Sequence, residues 1–490
     1  MTTASKGSAT APTNAKTPEP GTGTRRTRTA RRGPADLPFA FPDAGLAAAL
    51  GAERSEPAWL REERLAAASE YEALPLEKNP LYTTYVDLRS SDLFSAQPYK
   101  RTAEAPESGT SATLPDDIDA LIELREDGVT SLALSPSATE AGVVLETFGS
   151  WLRRDEAGFR AALDGGETLP ADKLAQLSRA FWSQGVHLSV PAGVTLARPV
   201  VMVWAAGVPD RALITRTFVQ LGVGSSASLV EELVASGPTV ECAAGEPVPQ
   251  SLFTGTLEVV LEKGSSLAVA SIQDLPAGVT AFQHRDARIG EGATLHWALA
   301  QLGSRSVRSR VDNRLEGDRS SVEQVEIVFG ADEQVVDLTS FTHHVGRDTT
   351  GNLLSKGALM DGARSYMKGL ITIERSAVGT DSFLGEFGMN LSRKTRAVAI
   401  PSLEIDQPDC RRAMHSSSVG PIDETQLFYL ESRGIPADEA RKFIVLGFLE
   451  PVVARVPLAS AQDHLRDLLD AKWAASSLAS STSGGSASAA

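Results

Sequence analysis

From about Gly185 to Ile405 the chain offers no convincing helix. Short β-rich runs follow one another instead: HLSV, PVVMVWA, FVQLGV, LEVVLEKGSSLAVASI, ARIGEGATLHWALAQL and SVEQVEIVFG, each broken by Gly, Asp, Asn or Pro. A stretch of this length and texture leaves few folds open. A sandwich, a barrel or a stacked solenoid would each satisfy it, and the recurring small-residue turns between runs of similar length favour the solenoid. At 490 residues the chain is long enough for two or three structural units and at least one large core.

The flanks read differently. Residues 1 to about 35 are rich in Thr, Ala, Ser, Gly and Pro, with seven basic side chains and almost no acid, a composition too poor in apolar surface to order itself. Its TRRTRTARRG run lacks a following apolar stretch, so a secretory signal is not expected, and an organelle transit peptide is the alternative. Trp59 to Leu76 has the spacing of an amphipathic helix, Lys78 to Leu93 reads as a loop, and Arg101 to Asp119 reads as a linker. Short alternating runs over Leu121 to Thr147 then give way to helical spacing from Trp151 to Phe181.

A second helical block opens after the β-rich region. Asp423 stands where a helix N-cap belongs, with Gln426 three residues on, and Gly434 is placed to close that helix. Pro436, Asp438 and Glu439 open another helix, and Ser460 is the expected cap of a third that carries Leu465, Leu468 and Leu469. After Trp473 a Ser/Ala/Gly tail follows.

The segment from Pro401 to Glu450 is dense with fixed residue types: PSLEI, then His415 with Val419 and Gly420, then DETQLFYLESRGI and ARKFIVLGF. It resembles the SufB/SufD family, the scaffold subunits of the machinery that builds iron-sulfur clusters. Further matches, AFWSQGV at Ala180 to Val186, VPAGV at Val190 to Val194, LLSKGALMDGA at Leu353 to Ala363 and GTDSF at Gly379 to Phe383, extend the likeness over Ala171 to Trp473. The resemblance implies a mainly β protein with a right-handed parallel β-helix core, an N-terminal mixed α/β unit and a C-terminal helical unit. The expected organisation is a tail over 1–50, an N-terminal domain over 51–180, the β-helix over 181–415, the helical domain over 416–475 and a second tail over 476–490.

The same resemblance implies a function. It is that of a non-catalytic scaffold subunit, closer to the SufD branch than to the SufB branch, which pairs with a SufB-like paralogue and docks a SufC-like ATPase. The Ser418-Val419-Gly420 step leans to SufD, and the GFLEPVV and VPL segments lean to SufB. A β-helix enzyme acting on polysaccharides is the alternative from another class. The resemblance also implies that a transient iron-sulfur cluster forms at the interface with the partner and that none is held tightly by the isolated chain.

Composition sets limits consistent with that reading. Lysine and arginine total 47 against 62 acids, for a net charge of −15, so neither nucleic acid nor an anionic membrane is the expected partner. Two cysteines, Cys242 and Cys410, are too few for a disulfide framework or a self-contained cluster site, and a reducing, cytoplasmic setting is expected. No P-loop is present, and the GxGxxA at Gly222 to Ala227 lies between β-runs, where its glycines serve turns.

His415 is the leading candidate ligand for iron, and Cys410, five residues earlier, is the weaker one. Many SufD proteins have Cys-Ser-His where this chain has Ala413, Met414 and His415, so the histidine is kept and the thiol is not. Leu427, Phe428, Tyr429, Arg433 and Phe448 are the expected partner-binding residues, because aromatic and arginine side chains commonly anchor interfaces. His343 and His344 are adjacent, so on a strand they face opposite ways and cannot share a metal.

Overall fold

The computed structural model describes residues 42–75, 93, 95–99, 114–164, 172–237 and 250–476. Two ten-stranded sheets share one core, and from Gln184–Val190 onward successive strands go to opposite sheets. The alternation runs to Arg396–Ile405 in the first sheet and Arg412–Gly420 in the second. Each of these strands pairs in parallel with the next strand of its own sheet, residue for residue, as Val335–His344 does with Arg364–Ile373. The result is a β-solenoid of about eight turns.

Period-two alternation makes this stack possible, because every inward side chain sits over its equivalent in the next turn. One inward column reads Leu221, Leu261, Ile289, Leu315, His344, Ile373. His344 takes an apolar slot there and is fully buried, with Nδ1 at 2.8 Å from Thr349 Oγ1 and Nε2 at 3.0 Å from Ser382 Oγ. Burial first, and His343 second, push its pKa down to about 3. His343 faces outward and meets Glu374 at 2.8 Å, so the two histidines do lie on opposite faces.

The glycines and aspartates that punctuate the sequence form a corner. Gly193, Gly224, Gly264, Gly292, Arg319, Asp348 and Gly379 all have positive φ. The N–H of each bonds to a carbonyl of the following turn, from Gly193 to Val223 through Gly379 to Asp409. Left-handed backbone costs an ordinary residue about 1–2 kcal/mol, which glycine avoids. The Gly222 to Ala227 motif is one of these corners.

At the first end each sheet finishes in an antiparallel strand. Gly128–Leu134 pairs with Ala120–Arg125 on the second sheet, and Val144–Thr147 pairs with Gln184–Val190 on the first. The solenoid therefore recruits strands from the N-terminal unit, ahead of the boundary expected at 181. A helix over Ala44–Glu53 also lies inside the stretch expected to be tail; its Ala47, Leu50 and Gly51 are buried. Its run of small apolar residues was masked by the basic segment before it. Residues 1–41, the tail after 476, Cys242 and most of the 78–93 loop and the 101–119 linker lie outside the described residues.

Helices Ala44–Glu53, Ala58–Ala73 and Lys173–Phe181 pack together, the last of them on strands of the first sheet. Asp172 fixes this unit to the solenoid. Its Oδ1 accepts the N–H groups of Leu174 and Ala175, capping the Lys173–Phe181 helix, while Oδ2 meets Arg308 at 2.5 Å and Arg310 at 2.9 Å.

On the second sheet, helix Ala437–Val453 lies across strands Thr294–Gln301, Ser321–Gly330 and Thr350–Leu359, and helix Ala459–Ala475 packs beside it. Val445, Leu449, Leu465, Leu469 and Trp473 are buried, each worth about 1.5–3 kcal/mol of hydrophobic stabilisation for the larger side chains. The third helix starts one residue earlier than its expected cap: Leu458 is the N-cap, without a side-chain bond, and Ser460 lies within the first turn.

Candidate functional site

Among the described residues, the last turn of the solenoid has no turn above it. Strands Arg396–Ile405 and Arg412–Gly420 each have a neighbour on one side only among those residues, which leaves one edge of each without a described partner. Along Arg412–Gly420, Ala413, His415 and Ser417 share the inward face and stand in register over Ser382, Leu384 and Glu386. Ala413 packs onto the apolar cluster of Leu353, Ile371, Ile373, Ala377 and Leu384. His415, two residues on, is exposed, because the layer that would cover it is missing.

Cys410 sits at the corner before this strand. It is half-buried beside Leu403 and Ala413 on the same apolar cluster, the environment of a small packed hydrophobe. Among the described residues no three His, Cys, Asp or Glu side chains converge to hold a metal. His415 thus presents its imidazole to solvent at an open edge.

Glu386 is a feature that sequence reasoning missed. It lies in the layer under His415, in register with Ser417, 1 % exposed, and its Oε2 has no hydrogen-bond partner. Gly369 makes room for Leu384 and for it, since a Cβ there would come within 2.5 Å of Leu384 Cδ2 and 3.1 Å of Glu386 Oε1. Burial pushes the carboxyl up to about 8, against the opposing effects of an Ile400 backbone hydrogen bond and the Lys368 charge. The signal was present in the alternation of GEFGMN, but only the register places Glu386 beneath the terminal strand.

A pH experiment tests this environment. The folded value lies above the unfolded one of about 4.3, so between the two the native state holds the extra proton and stability falls as pH rises through that window. Glu386→Gln removes the titration. The variant is expected to match the parent near pH 5 and to exceed it at pH 8 by an order of a few kcal/mol in urea unfolding. Parallel pH profiles for the two proteins would show that Glu386 is not held protonated.

The helix that follows the open strand is built as its sequence indicates. Asp423 Oδ1 accepts the Thr425 N–H at 2.8 Å. Gly434, at φ +87, closes the helix with paired bonds from its own N–H to Glu431 and from Ile435 N–H to Leu430. Yet this helix, Glu424–Ser432, buries no residue. Phe428 is 69 % exposed and Tyr429 56 %, with the Arg433 guanidinium 5.2 Å over the Tyr429 ring.

Leu427 is half-buried, and Phe448 turns back to the solenoid, where Lys356 Nζ lies 4.6 Å over its ring. Phe443, whose helical spacing with Ala440, Ile444 and Phe448 reads as a core position, is 60 % exposed on the next helix. Met414, Val419 and Ile405 add exposed apolar surface along the open edge. A groove of about 450 Å³ between the first two C-terminal helices is lined by Asp423, Gln426, Tyr429, Leu430 and Ile444.

Comparison with known proteins gives this arrangement a context. Residues 203–448 match the family model described as SUF system FeS cluster assembly, SufBD core domain. The iron-sulfur cluster assembly protein SufD of Bacillus subtilis is 28% identical over 432 residues, covering 86% of this chain and 95% of that protein. An iron-sulfur cluster assembly SufBD family protein of Staphylococcus epidermidis is 26% identical over 327 residues, 67% of this chain and 68% of its own length. One from Staphylococcus aureus is 25% identical over the same length.

Proposed function

The chain belongs to the SufBD family of the SUF iron-sulfur cluster assembly system, and from that premise we propose that it is a non-catalytic, SufD-like scaffold subunit. In this reading it pairs with a SufB-like paralogue through its open strands and docks a SufC-like ATPase through its C-terminal helices. The observation that carries the reading is the exposed His415 on an unpaired strand edge, beside a helix whose aromatic side chains are not used by its own core.

Unpaired N–H and C=O groups at a sheet edge accept a partner strand by main-chain hydrogen bonding. A paralogue laid along Arg412–Gly420 brings its own donors to His415. The imidazole then supplies one nitrogen to the iron of the nascent cluster, which is cargo, while the partner supplies thiolate or carboxylate. Cys410, packed among apolar side chains, serves the corner rather than the cargo.

Phe428, Tyr429 and Phe443 are the anchors for the ATPase, with Arg433 at the rim and Leu427 supporting them from below. Phe448 contributes by fixing the second helix on Lys356. The test is co-purification of the assembled complex. Phe428→Ala combined with Tyr429→Ala is expected to weaken ATPase binding by about a thousandfold, since hot-spot truncations cost about 2 kcal/mol or more each. The SufB-like partner should stay bound. Undiminished ATPase binding by the double variant would overturn this docking surface.

A further inference from the structure

A cleft of about 290 Å³ lies far from the open edge, between helix Glu156–Asp164 and the outer face of the first sheet. The helix meets the sheet there through Gly158, Ala161 and Ala162, which leave the space unfilled, and Phe218 lies on the sheet side. Three carboxyl side chains cross the sheet at this level: Glu258, Asp286 and Asp312 occupy in-register positions on three neighbouring strands. Like charges placed directly opposite one another repel, so each needs a counter-charge.

Two of the three have one at hydrogen-bond distance. Glu258 Oε1 accepts from Arg216 Nη2 at 2.8 Å and Nε at 3.2 Å. Asp312 meets Arg310 and His284, each at 2.7 Å. Asp286, the middle member, is 4 % exposed and lines the cleft, and its Oδ1 has no hydrogen-bond partner. Burial, then the charges of Asp312 and Glu258, push this carboxyl well above the ordinary range, against the opposing charges of Arg314 and Arg310. A buried acceptor left unmatched costs about 1–3 kcal/mol, and a cation in the cleft would remove that cost.

We propose that Asp286 and Glu258 form a binding site for a small primary ammonium compound whose alkyl part lies against Phe218. An ammonium carries three donors, and the cleft supplies three kinds of acceptor to meet them. These are Asp286, the Oε2 of Glu258 that Arg216 does not contact, and Gln220, whose amide nitrogen is committed to Ser189 at 2.9 Å and so leaves its oxygen. A metal ion fits less well, since no three acidic or histidine side chains among the described residues converge on one point. Phe218 and the small helix residues suit an alkyl stem. Arg288 at the rim is held by Glu316 and disfavours a second positive charge on the ligand.

The site can be tested by calorimetric titration of the full chain with n-butylammonium chloride. Tetramethylammonium, sodium and magnesium chlorides at matched ionic strength serve as controls. Saturable binding of butylammonium is expected, with release of a proton seen as a dependence of the heat on the buffer's ionisation enthalpy. Asp286→Asn keeps the shape, and its fold is checked by thermal unfolding; it should weaken binding at least tenfold and abolish the proton release. No saturable binding to the parent, equal binding to a folded Asp286→Asn chain, or equal response to tetramethylammonium would each overturn the proposal. Preferential magnesium binding would overturn it in favour of a metal site.

Discussion

A complex assembled with the His415→Ala chain is expected to reach normal stoichiometry and to acquire iron-sulfur absorbance at least about tenfold more slowly or weakly than the parent complex. Removing residues that merely orient a metal ligand costs 10–100-fold in affinity, and removing a ligand itself should cost no less. The fold should not notice. His415 is exposed on a terminal strand and has no hydrogen bond to any described residue, and surface substitutions of that kind change stability by about 0.5 kcal/mol or less. Thermal unfolding of the isolated variant checks the second statement, and visible absorbance after reconstitution checks the first. Normal assembly with normal cluster acquisition would remove His415 from the site, and loss of assembly ahead of cluster loss would assign it a structural role. Cys410→Ser is the internal control, expected to leave acquisition unchanged.

The second large effect is expected where the N-terminal helices meet the solenoid. Asp172→Ala should lower the stability of the whole molecule by about 3–5 kcal/mol, the usual consequence of removing one partner from a buried charge network. Burial by itself would raise the Asp172 pKa, but Arg308, Arg310 and His284 outweigh burial and hold the carboxyl far below the ordinary range. A depressed carboxylate contributes stability above its unfolded value of about 3.9 and loses it only as pH falls below that value. The deficit of the variant should therefore be constant from pH 5 to 8 in urea unfolding. Asp172→Asn keeps an oxygen for the Leu174 and Ala175 amides and should recover the capping part, about 1 kcal/mol. A midpoint for Asp172→Ala equal to that of the parent would show that other contacts hold the N-terminal helices on the sheet.

Local signals were the legible ones. The Asp423 cap, the Gly434 closure and the glycine corners depend on a few adjacent residues with narrow backbone preferences, and they stand where the sequence places them. The opposite-face placement of His343 and His344 follows from strand geometry alone. What the sequence withheld was mostly long-range. Alternation tells which face a residue takes but not which turn lies above it, so Glu386 under Ser417 and the Glu258, Asp286 and Asp312 row emerged only with the register. Phe443 looks like a core residue by spacing, yet its face of the helix finds no solenoid strand to cover. Ser460 is not the cap because the helix already begins at Ala459, with Leu458, which carries no side-chain acceptor, as its N-cap.

The two ends of the solenoid are unlike, one finishing in antiparallel strands and the other in parallel ones. A stack of parallel strands with both ends free would be a template for endless head-to-tail growth, since each new unit would present the same surface that received it. Here the first end presents antiparallel strands, which do not repeat the parallel surface of the last turn. A second solenoid that meets the last turn with a last turn of its own is related to the first by a rotation, and that contact uses the free edges of both. A contact of that kind closes at two solenoids.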